Sequence, residues 1–211
     1  MRWSSGMAVV LLGIAVASSG CGDSTGGDDL TLAFQGWTSD GITQADSAGP
    51  NSADVDVCQG LCGSIEDPTG EPFTQTRINA IFVNRGKADI VLDTYTVSVP
   101  GSGVPDQTFS ATARIPGGRC GEDPQKQCAL DSDCLGFCMH DEATVGVLLF
   151  DFTFKSLVVS GQCPSFEDPL GSVISQTMDV FVTFRGVDET DDGFNVSAAY
   201  QATFDNFSSC N

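Results

Sequence analysis

The 211 residues carry 28 acidic against nine basic side chains, a formal charge of −19, and 41% of them are hydrophobic. That apolar content excludes a globally disordered chain, and the length suits one domain with little left over for a second. So acidic a surface repels phosphate backbones and anionic lipid, which excludes nucleic acid as a partner and leaves a covalent or inserted anchor as the route to a membrane.

Arg2 precedes an apolar run from Met7 to Ala17, and Ser18-Ser19-Gly20-Cys21 follows. The run is too short to cross a bilayer as a stable helix, but it fits the apolar core of a signal peptide covering residues 1–20. Its removal leaves eight basic against 28 acidic side chains, a charge of −20. Gly20 directly before Cys21 resembles the lipobox of bacterial lipoproteins, with Ser18 standing where that family usually carries Leu. The resemblance implies that the Cys21 thiol is acylated and holds the chain on a membrane of the cell envelope, outside the cytoplasm. Ala15-Val16-Ala17 offers a second, small-x-small cleavage site that would release a secreted soluble protein. Residues 21–29, polar and rich in Gly and Asp, read as a flexible tether.

Nine cysteines is an odd number. Assigning Cys21 to the lipid leaves Cys58, Cys62, Cys120, Cys128, Cys134, Cys138, Cys163 and Cys210, a set that can pair fully in an oxidising compartment. Their connectivity is not readable from spacing. Cys58 and Cys62 close a tight loop, or each reaches Cys163 or Cys210.

From Leu30 a period of two takes over, as expected of strands with one buried face. Leu30, Leu32 and Phe34 alternate with polar or small residues; so do Ile78, Ala80 and Phe82, where Ile81 and Val83 make the second face apolar too. Tyr95, Val97 and Val99 follow, then Phe109, Ala111, Ala113 and Ile115. The apolar stretch Val145 to Val159 reads as a central strand with a bend near Lys155. Met178, Val180, Val182 and Phe184 alternate again, and Phe194 to Phe204 is the longest alternating run. Asn84-Arg85-Gly86, Pro100-Gly101-Ser102-Gly103 and Asp192-Gly193 supply turns between runs. No segment of ten or more residues carries a capped helical period. The pattern predicts one all-β domain over residues 30–211, an antiparallel sandwich of roughly seven or eight strands. Pro116 to Glu142 breaks it, with few large apolar residues and four cysteines, and reads as an insertion ordered by two bridges within it.

Asn84-Arg85-Gly86, Tyr95-Thr96-Val97, Gly103-Val104-Pro105 and Phe184-Arg185-Gly186-Val187-Asp188, leading to a last strand ending at Asn206-Phe207, resemble in their order a loose group of extracytoplasmic lipoproteins from delta-type proteobacteria. Cys128-Ala129-Leu130-Asp131-Ser132-Asp133-Cys134 looks like a short cysteine motif of secreted proteins from similar bacteria. The resemblance covers residues 76–207 and implies an immunoglobulin-like sandwich at the envelope, with no family active site to carry over.

Candidate chemistry is sparse. Asp131, Asp133, Gly136 and Glu142 match part of a calcium-loop pattern, but Leu135 stands where an oxygen ligand is needed, so an acidic disulfide loop is the expected role. Asp188, Asp191 and Asp192 form the densest carboxylate run and are the candidate ligands for a hard cation such as calcium. His140 is the only histidine, which excludes a two-histidine metal site, and no Gly-x-Ser-x-Gly supplies a nucleophile. Cys58 and Cys62 have three residues between them, not the two of a redox pair, and read as structural. The expectation is a non-enzymatic envelope lipoprotein without a cofactor, which binds an envelope or extracellular protein through its loops. A calcium-stabilised secreted domain is the alternative, and a hydrolase the third.

Overall fold

The computed structural model describes residues 32–40, 47–58, 61–64, 67–70, 74–158, 161, 163 and 171–207. The proposed signal peptide, lipid site and tether lie outside this set, as do the side chain of Cys62 and the whole of Cys210. In chain order the strands are β1 (Leu32–Ser39), β2 (Ser47–Ala48), β3 (Ser52–Asp56), β4 (Leu61–Ser64), β5 (Asp67–Gly70), β6 (Thr76–Asn84), β7 (Ile90–Ser98), β8 (Gln107–Ile115), β9 (Gly118–Cys120), β10 (Asp123–Cys128), β11 (Cys138–Met139), β12 (Glu142–Phe150), β13 (Gln176–Asp188) and β14 (Gly193–Asp205), with helix α1 (Phe152–Val158) after β12. Among the described residues no helix is long and apolar enough to cross a membrane.

Two sheets pack face to face. One has the order β1-β6-β12, the other β2-β3-β14-β13-β7-β8. Alternation dictates which side chains lie between them: Phe194, Val196, Ala198, Tyr200, Ala202 and Phe204 of β14 are all buried, and so are Ile78, Ala80 and Phe82 of β6. An aromatic cluster locks the layers together. Phe184 of β13 meets Phe82 edge-on at 4.8 Å, and Trp37 of β1 meets Tyr200 of β14 at 5.5 Å. Such edge-to-face pairs add about 1 kcal/mol each beyond the area they bury. The Trp37 indole N–H donates to the Ala199 carbonyl at 2.9 Å, so the buried ring also meets its polar requirement.

Two expectations are corrected. The sandwich is not purely antiparallel: β3 runs parallel to β14, with Ala53 opposite Ala202 and Val55 opposite Phe204. The reason is connectivity, because β3 belongs to the opposite sheet from β1 and lies between the two-residue β2 and the last strand, which it does not meet through a hairpin. The apolar stretch 145–159 is not one strand either. β12 stops at Phe150, and Asp151 caps α1, its Oδ1 accepting the Phe154 N–H at 2.7 Å while its carbonyl accepts Lys155 N–H at 3.1 Å. A capping carboxylate satisfies an amide that a helix start would leave orphaned. Phe154 and Val158, four apart, then bury one side of the helix, and Phe154 packs on Phe150 and Phe204 at 4.8 and 6.1 Å.

Among the described residues one long-range bridge closes the domain. Cys58, just past β3, pairs with Cys163, beyond α1, across 105 residues. In the chain-entropy view a loop of that length restricts the unfolded state by about 4.7 kcal/mol. No segment between β8 and β12 joins either main sheet. The interval instead forms the insertion, where the sequence pattern had shown no alternation and the structure has three short strands.

Candidate functional site

The insertion is built on very little apolar material, so covalent and polar bonds order it. Its strands form a small sheet, β10-β9-β11, with Cys138 opposite Cys120 and Cys128 opposite Gly118. Cys120 is bonded to Cys134, and Cys128 to Cys138, so both bridges predicted within residues 116–142 are present and their partners are now assigned. The Sγ atoms of Cys120, Cys128 and Cys134 lie within 4.8 Å of one another, the only grouping of three metal-capable side chains among the described residues. All three sulfurs are spent in bridges, which removes the thiolates that a zinc site would need.

Carboxylates do the rest of the folding here. Asp133 Oδ2 accepts the Ala129 and Leu130 N–H groups at 2.9 and 3.2 Å, and Asp131 Oδ1 accepts the Cys138 N–H at 2.8 Å. Glu122 accepts the Leu135 N–H. The amides on Asp133, together with Lys87, pull its carboxyl down to about 2. Asp131 and Asp133, singled out as part of a calcium loop, thus hold the backbone of the loop that carries them. Glu142 opens β12 opposite Val83.

The joint with the sandwich is a buried carboxylate. Burial raises the pKa of Asp89, but the Gly117 N–H and the Arg119 and Arg114 guanidiniums outweigh that and leave it below the ordinary value. Its Oδ1 accepts from Gly117 at 2.9 Å and from Arg119 Nη2 at 2.7 Å, while Oδ2 accepts from Arg114 Nε at 2.6 Å. Lys87 reaches Asp133 at 3.2 Å from the same turn of the sandwich. Gly117 is required at this joint, because a Cβ there would stand 2.1 Å from the Lys87 carbonyl oxygen. His140 donates from Nδ1 to the Asn84 carbonyl at 2.9 Å, since that oxygen can only accept, and its Nε2 faces Cys138 Sγ at 3.4 Å.

What this bracing holds out is apolar. Leu130 is 66% exposed, Leu135 96%, Phe137 57% and Met139 39%, all within one stapled stretch. Phe137 leans over Gly121, whose N–H donates to its carbonyl at 3.0 Å. Sequence reasoning passed over these four, because apolar residues without a period carry no strand or helix signal. Their spacing among cysteines was the available clue: a side chain between two staples cannot withdraw into a core.

Asp188, Asp191 and Asp192 fall together on the β13–β14 turn. Asp188 Oδ1 accepts the Thr190 and Asp192 N–H groups at 2.7 and 3.0 Å, and Thr190 Oγ1 sits 2.7 Å away, the contact that contributes most to lowering the Asp188 pKa. Asp191 takes the left-handed conformation, with φ of 64°. This is an Asx-type turn in which one carboxylate organises its own loop.

No protein-family model matches the chain, and no curated protein or solved structure matches it.

Proposed function

We propose that this chain is a non-enzymatic envelope lipoprotein, anchored through Cys21, whose sandwich holds the insertion out as a protein-binding tip. One observation carries the reading: Leu130, Leu135, Phe137 and Met139 stay exposed on a loop fixed by two disulfides and three carboxylate anchors. A mobile loop could fold such residues away, whereas a stapled one exposes them permanently, and exposed apolar clusters on rigid supports are where binding energy concentrates. The partner we infer is a protein surface with an apolar pocket and a basic rim. Six carboxylates against two basic side chains in residues 116–142 favour positive charge opposite and oppose both self-association and anionic lipid.

The sandwich itself we read as immunoglobulin-like. Support comes from strand order: β1-β6-β12 against β3-β14-β13-β7-β8 follows the A-B-E and A′-G-F-C-C′ arrangement, with the insertion between the C′ and E positions. Export is supported by three disulfides, which form and persist in oxidising compartments.

Selection of a random peptide library on the oxidised chain tests the tip. The reading expects enriched peptides to combine Lys or Arg with Phe, Leu or Trp, and to lose at least about tenfold in affinity on the Leu135→Asp/Phe137→Asp double variant. Peptides indifferent to that variant, or binding of the tip to neutral lipid vesicles instead, would overturn it.

A further inference from the structure

The two bridges of the insertion share a feature that their structural role does not require. Cys120 and Cys128 are fully buried, while Cys134 and Cys138 each keep partial access to solvent. Each bridge therefore joins a buried cysteine to a partly exposed one. The Cys128 sulfur lies within 4.8 Å of both members of the other bridge, and Cys138 Sγ stands outside that grouping, beside His140.

We infer that these four sulfurs form a thiol–disulfide relay that passes a thiol from the Cys134 side of the insertion to Cys138. The co-reactant is a low-molecular-weight or protein thiol, entering as its thiolate. Of the four, only Cys134 and Cys138 are partly exposed residues. Attack on Cys134 forms a mixed disulfide there, breaks the Cys120–Cys134 bond and leaves Cys120 as a thiolate. Freed from its partner, Cys120 can rotate towards Cys128. Its attack forms a Cys120–Cys128 bond, breaks Cys128–Cys138 and sends the electron pair to Cys138. The balance is complete: one thiol and two disulfides enter, one thiol and two disulfides leave, and the proton lost by the incoming thiol ends on Cys138.

His140 gives the second step its direction. With Nδ1–H donating to Asn84, the protonated imidazole presents Nε2–H to Cys138 at 3.4 Å, and that proton passes to the departing sulfur while the incoming thiol's proton restores the ring. A leaving sulfur whose thiolate is stabilised leaves faster, and no comparable partner stands beside Cys134 among the described hydrogen bonds. The product exchanges the two staples for one bridge between the buried cysteines and releases Cys138 from β10. The tip between residues 130 and 139 then loses its second staple, so the relay would also unfasten whatever that tip presents.

The experiment needs no variant for its first arm. The oxidised chain is exposed to reduced glutathione, quenched with acid at intervals, alkylated and mapped by mass spectrometry, with Cys58–Cys163 as the internal control. The inference expects an early species with glutathione on Cys134, a Cys120–Cys128 bridge and alkylated Cys138. Reduction of Cys120–Cys134 to two alkylated thiols while Cys128–Cys138 stays intact would overturn it. The second arm is His140→Gln, in which alkylation of Cys138 should slow by about tenfold. A merely structural histidine predicts the opposite sign, because loosening the loop would speed reduction of both bridges.

Discussion

The hydroxyl of Tyr95, on β7 of the larger sheet, accepts the N–H of Leu148, on β12 of the smaller one, at 2.8 Å. β12 is an edge strand, so part of its backbone has no ladder partner, and a side chain from the facing sheet fills the gap. Burial holds the Tyr95 phenol above its ordinary pKa, against the opposing pull of this Leu148 contact. Tyr95→Phe retains the ring packing against Phe109 and Phe184 but leaves that amide unanswered. It should lower stability by about 1–3 kcal/mol, read as a reduced denaturation midpoint with unchanged slope.

The aromatic cluster supplies a larger effect. Phe184 is fully buried against Phe82, Tyr95 and Trp37. Phe184→Ala should cost about 3–5 kcal/mol, whereas Phe181→Ala, three residues earlier on the exposed face of β13, should cost well under about 1 kcal/mol. Chemical denaturation of the two variants side by side checks that the register assigned to β13 is right, since a one-residue slip would reverse them.

Acid should loosen the insertion before the sandwich. The folded pKa of Asp89 lies below the ordinary aspartate value, and that of Asp133 falls to about 2. For a depressed carboxyl, the stabilising contribution is fully present above the unfolded value and is lost as pH falls through the folded one. The contributions of both residues should therefore hold at pH 5 and decline below about pH 4, continuing towards about pH 2 for Asp133. Amide exchange of Ala129 and Leu130 followed over this range should rise before that of β13 and β14. Asp89→Asn should move the onset of insertion opening to higher pH.

Replacing residues 117–141 with a short Gly-Ser turn should leave the two sheets folded. The variant loses the Gly117 and Arg119 partners of Asp89 but keeps Arg114, so a modest fall in midpoint is expected with an unchanged aromatic circular dichroism signal. Loss of cooperative unfolding would show the insertion to be part of the core.

Much of this architecture was legible because burial imposes a period of two wherever a sheet has one wet face. Phe194 to Phe204 alternates without a break, and β14 is buried on that schedule. Val145 to Val159 misled because an apolar run has no period of its own. Asp151, a single capping residue, decided where strand gave way to helix. The parallel strand β3 rests on the short alternation Ala53, Val55, Val57, too brief to stand out and silent on direction. Cysteine parity and crowding predicted two bridges inside the insertion, but pairing depends on which strands sit side by side. Asp89 and Arg119, 30 residues apart, meet only because β9 folds back over the β6–β7 turn. Leu135 and Phe137 were visible as residues but not as a surface, since exposure belongs to the folded loop.

Intact mass combined with peptide mapping of the protein isolated from its native membranes bears most directly on the whole account. It should find residues 1–20 removed, an acylated Cys21, and the bridges Cys58–Cys163, Cys120–Cys134 and Cys128–Cys138. A chain that retains residues 1–20 and carries free thiols at Cys120, Cys128, Cys134 and Cys138 would contradict export, the stapled tip and the relay together.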